Sequence, residues 1–123
     1  MIGREMMREL RCITFTEQEA IAAVVDRRHA QRHALPAGMI RGLSVNIDGN
    51  NTCALEMEDY HGNRPCVTIP EQEIAAALVA YCLSRKIPMP RKSSKTIHVI
   101  GGDLTLVLTI SDFDLINAHK FHL

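Results

Sequence analysis

The sequence predicts an α+β protein built from two βαββ units, and three observations predict it. The stretch CITFTEQEAIAA that begins at Cys12 returns as CVTIPEQEIAAA at Cys66, fifty-four residues on. Overlaying residues 12–45 on 66–99 without gaps gives ten identities in thirty-four pairs, among them Cys12/Cys66, Glu17/Glu71, Ala23/Ala77, Pro36/Pro90 and Val45/Val99. Each copy passes from a short β-prone run to a helical period and then to two further strand-like runs around a Gly-containing turn. An internal duplication accounts for all three. The units are expected over residues ~12–59 and ~66–110, forming one pseudo-two-fold antiparallel sheet packed with two helices. Residues 1–123 then make a single domain that ends in a short C-terminal helix.

The opening strands are residues 12–15 and 66–69. Helix starts follow: Thr14 with Glu17 and Thr68 with Glu71 have capping-box spacing, Thr16 with Glu19 offers a second register, and Pro70 suits a first helical turn. Glutamates gather where a helix N-terminus carries partial positive charge. Arg27, Arg28 and Arg32, or Arg85 and Lys86, gather at the other end, so the repeated EQE block needs no catalytic explanation. Ile21, Val24 and Val25, or Ile74, Leu78, Tyr81 and Cys82, recur at helical spacing and predict one buried stripe per helix. Pro36, Pro88 and Pro90 stop the helices.

Turn chemistry predicts strand register. In IHVIGGDLTLVLTI a two-residue Gly101-Gly102 turn sets Ile97 opposite Leu106 and Val99 opposite Leu104. In LSVNIDGNNTCALEM a three-residue Asp48-Gly49-Asn50 loop pairs Val45 with Cys53 and Leu43 with Leu55, which a two-residue turn would not. A turn at residues 61–63 brings Cys66 to Thr68 beside the strand from Thr52. By the repeat, Cys12 to Thr14 should lie beside Leu104 to Ile110. Residues 111–116 have the pattern of a short capped helix.

Composition narrows the function classes. Hydrophobic residues make up 46% of the chain and charged residues 23%, with no apolar run long enough to span a bilayer and no signal-like opening. A cytosolic protein with four free, buried cysteines and no cofactor is expected. Fourteen basic residues balance fourteen acidic ones, which disfavours a general nucleic-acid coat, and aromatic residues for base stacking are few.

Several residue groups could carry chemistry. His29 and His33 stand four apart on the first helix and could hold a transition metal, with Asp26 the nearest third ligand. The stretch SRKIPMPRKSSK places Arg85, Lys86, Arg91, Lys92, Ser93 and Lys95 on an extended connection able to reach phosphates, and Arg32 and Arg41 mark the equivalent region of the first copy. Glu56, Glu58 and Asp59 form an acidic counterpart that could dock such a loop from another protomer. Gly101-Gly102 precedes no helix and is no phosphate loop. Paired βαββ-like units of this total length resemble, in architecture, the glyoxalase and bleomycin-resistance superfamily. That resemblance implies a small-molecule binder or lyase, although each copy is shorter by about a strand and no His/Glu set matches the superfamily's metal ligands. The leading expectation is a non-enzymatic binding protein for a protein partner or itself. A polyanion binder is second, and the glyoxalase-like reading is third.

Overall fold

The structure is a computed structural model that describes residues 8–46, 52–90 and 92–111. In chain order it contains β1 (Arg8–Phe15), α1 (Glu17–Ala30), β2 (Met39–Asn46), β3 (Thr52–Glu58), β4 (Cys66–Ile69), α2 (Glu71–Ser84), β5 (Ser94–Ile100) and β6 (Asp103–Ser111). Adding 54 to the limits of α1 gives the limits of α2. The two helices of the repeat therefore start and stop in register.

The strands form two three-stranded antiparallel sheets, β1-β6-β5 and β2-β3-β4, where the sequence suggested one. A continuous sheet could join at β2 and β5, yet β2 is shifted by a bulge between Ile40 and Gly42. The Leu43 amide of β2 is also already committed, donating to Glu17 Oε2 at 3.1 Å. Each half lends its first strand to the hairpin of the other. β1 pairs with β6, setting Cys12 against Val107 and Phe15 against Leu104, and β4 pairs with β3, setting Ile69 against Cys53.

Hairpin registers match expectation: Ile97 faces Leu106, Val99 faces Leu104, Val45 faces Cys53 and Leu43 faces Leu55. The Asp48-Gly49-Asn50 loop itself lies outside the described residues. The short helix expected over residues 111–116 also falls outside them beyond Ser111, a residue that instead completes β6.

Central strands β3 and β6 supply most of the sheet contribution to one core, with Cys53, Leu55, Met57, Leu104, Leu106 and Leu108 all buried. α2 adds Ile74, Ala77, Leu78, Tyr81 and Cys82, as its stripe predicts. α1 is rotated from its predicted stripe and buries Ala20, Ala23 and Val24, leaving Ile21 and Val25 half-buried. Alanines allow α1 and α2 to approach closely where they pack together. The cysteine expectation holds for Cys53 and Cys82 and fails for Cys12 and Cys66, which are exposed on outward-facing strand positions.

Capping distinguishes the two copies. Thr16 caps α1: its hydroxyl accepts from the Glu19 amide at 3.1 Å while Glu19 Oε1 accepts from the Thr16 amide at 2.9 Å. The alternative boxes at Thr14 and Thr68 do not form, because both residues lie inside strands. Pro70 caps α2 without a side-chain bond, which leaves Glu73, the counterpart of Glu19, for Arg28. That pair is bidentate, with Arg28 Nε to Glu73 Oε2 at 2.7 Å and Nη2 to Oε1 at 3.1 Å. The end of α1 thus lies against the start of α2, and each charge sits at the end of its own helix whose dipole favours it.

Both helices end alike. Arg32 and Lys86, again 54 apart, take left-handed φ values of 58° and 60°. His33 N then donates to Arg28 O and Ile87 N to Cys82 O, both at 2.9 Å, the closing bond of a Schellman turn. Gly38 is required before β2, since its φ is +138° and a Cβ there would strike the Glu58 carbonyl.

Candidate interaction surfaces

The acidic edge is largely spent on its own neighbourhood. Glu58 Oε1 pairs with Arg41 Nε at 3.1 Å and with Arg64 Nε at 3.4 Å. Asp59 builds the β3–β4 turn, its Oδ1 accepting from the His61 and Asn63 amides at 2.9 and 2.8 Å. Desolvation nudges the Asp59 pKa upward, but those amides and the Asn63 side chain outweigh it and hold the carboxyl below the usual carboxylate range. Glu56 alone of the three is exposed.

The basic candidates have mixed surroundings. Arg41 is held by Glu58, while Arg85 lies over the Tyr81 ring at 4.4 Å and Arg32 forms the left-handed turn after α1. Lys86 and Lys92 are exposed, and Arg91 lies outside the described residues. Lys95 Nζ donates to the Ser93 carbonyl at 3.3 Å, and the Ser93 hydroxyl is shielded from solvent without an acceptor or donor beside it.

His29 and His33 do share a cleft of about 540 Å³ at the end of α1, over Val25 and Leu35. Arg28 and Arg32 line it too; Glu73 balances the Arg28 charge, so Arg32 is the guanidinium there that opposes a divalent cation. Among the described residues no group of three His, Cys, Asp or Glu side chains could hold a metal ion. His98 lies opposite Thr105 and makes a 3.0 Å contact to Thr96 Oγ1.

Two surfaces escaped the sequence reading. The first surrounds β5, where a cleft of about 540 Å³ brings together Leu10, Cys12, Val45, Val99, Ile100 and Val107. Leu10 is 67% exposed, Ile100 47% and Val99 39%. The second is a groove of about 360 Å³ over α2, with Arg27 and Lys95 at its sides. Both combine side chains from distant segments, so no local motif announces them. The signal available in the sequence was the TIHVI run of β5, which carries no formally charged side chain.

Among the described residues no helix is long and apolar enough to cross a membrane. No protein-family model matches the chain, and neither curated proteins nor solved structures give a significant match.

Proposed function

We propose that this chain acts by binding, and that its partner is a second copy docked along β5, with the two βαββ halves of each copy related by an approximate two-fold axis. The observation that carries the reading is the contrast among four edge strands. β1 carries Arg8, Glu9 and Arg11; β2 is bulged and its Leu43 amide is taken by Glu17; β4 has only four residues. These are the devices that keep an edge from pairing with another chain. β5 has seven residues, exposes Val99 and Ile100, and after Lys95 has only His98 as a titratable side chain. An antiparallel β5–β5 contact is self-complementary about a two-fold, and a formal net charge of zero does not oppose approach of two copies.

Light scattering across a concentration series tests the reading. The wild type should shift from monomer to dimer mass, and Ile100→Lys should remain monomeric with an unchanged circular dichroism spectrum. A wild type that stays monomeric at every concentration would sink it.

A second reading is favoured by Lys86 and Lys92, exposed and without an ion pair to any described residue. On that reading the segment 85–95 meets a polyanion. Labelled DNA and RNA oligonucleotides measured by anisotropy at low and near-physiological salt would detect it, with Lys86→Glu/Lys92→Glu abolishing any salt-sensitive binding.

A further inference from the structure

The groove over α2 is floored by Ala75, Ala76, Val79, Ala80 and Leu83. These residues follow one another at helical spacing along one side of α2, where Ala75 and Val79 rest partly on the core and all but Leu83 are half-buried. Leu83 is 56% exposed there. Small side chains let another backbone come close, and the i, i+4 rows 75-79-83 and 76-80 make the ridges and furrows that receive a helix.

Arg27 from α1 and Lys95 from β5 line the same groove, and no acidic residue does. Arg28, one position on, has both oxygens of Glu73. Arg27 has no ion pair with any described residue, and its Nε is shielded from water with no acceptor. Lys95 reaches only the Ser93 carbonyl, at 3.3 Å, and the Ser93 hydroxyl is similarly shielded and unpartnered. A desolvated donor left unmade destabilises the fold, and a carboxylate brought by a ligand removes that cost. The missing component is therefore an anionic acceptor attached to an aliphatic surface.

We propose that this groove docks an acidic amphipathic helix of a partner protein, with carboxylates against Arg27 and Lys95 and aliphatic side chains over the alanine face of α2. A helix fits better than a buried small ligand because the site is a shallow furrow of about 360 Å³ along a helical ridge. The site is separate from the exposed apolar end of β5, so it stands without the dimer proposed above.

The test uses the full chain and a fluorescein-labelled Ala/Leu helical peptide of about 18 residues with glutamates on one face, beside the same peptide with lysines in their place. The acidic peptide should bind with micromolar affinity that falls with salt, and the lysine peptide about tenfold or more weaker. Amide shift changes should centre on Ala75, Ala76, Val79, Ala80 and Leu83. Arg27→Glu should reverse the preference between peptides, and Arg27→Gln, which keeps the side chain's bulk, should weaken the acidic peptide without favouring the basic one. Ile100→Lys should bind as the wild type does. Equal binding of both peptides, no binding of the acidic one at low salt, or shift changes mapped elsewhere would each overturn the proposal.

Discussion

At the scale of single residues, the four thiols divide by burial. Cys53 is wholly buried, and burial pushes its pKa up to about 11; Cys82 is raised for the same reason. Cys12 and Cys66 are exposed. A thiol reagent at mildly alkaline pH should therefore modify Cys12 and Cys66 quickly and spare the other two until denaturant is added, as a mass spectrum after timed quenching would show. Because the folded pKa of Cys53 lies above its unfolded value, its contribution to stability is intact below about pH 9 and fades as pH rises toward about 11. Arg32 and Lys86 carry a second residue-scale expectation. A left-handed backbone costs a non-glycine residue about 1 kcal/mol, so Lys86→Gly should raise the urea midpoint by a matching amount. Loss of stability in that variant would mean that the Lys86 side chain contributes more than its backbone costs.

At the scale of elements, the asymmetry of the two copies turns on one substitution. Where Thr16 engages Glu19 in a capping box, Pro70 cannot engage Glu73, and Glu73 binds Arg28 across the helix pair. With side chains only 16% and 17% exposed, Glu73→Gln should cost about 1–3 kcal/mol in chemical denaturation, and a double-mutant cycle with Arg28→Ala should show coupling. Thr16→Ala should cost about 1 kcal/mol. Much of this level was legible beforehand. The EQE repeat located both helices, and turn chemistry predicted the register of both hairpins because a one-residue slip would turn Leu55 or Leu106 out of the core. Spacing alone could not choose between Thr14 and Thr16 as the cap. The strand alternation Ile13, Thr14, Phe15 makes that choice, since β1 continues through Phe15 against Leu104.

At the scale of the whole molecule, the reciprocal loan of β1 and β4 makes each half complete the other's sheet. Leu106 stands at the centre of this arrangement, fully buried between Ile13 and Ile97. Leu106→Ala should cost about 2–5 kcal/mol and lower both sheets in one cooperative transition. Little at this scale could be read from the chain. The division into two sheets goes with the bulge in β2 and with the Glu17 carboxylate reaching Leu43, a contact between residues 26 positions apart. The candidate surfaces are assembled in the same way: Leu10 and Ile100 come to line one cleft, and Arg27 and Lys95 another, only after folding. The charged residues that stood out in the sequence, Glu58, Asp59 and Arg41, prove to be occupied with holding turns and edges.

On the proposal above, β5 is the edge on which a second copy docks. Hydrogen–deuterium exchange of the β5 amides, followed as protein concentration is raised, tests it most directly. Protection that grows with concentration across residues 96–100, and not along β1 or β4, is the predicted result. Exchange at β5 that is independent of concentration would contradict the account.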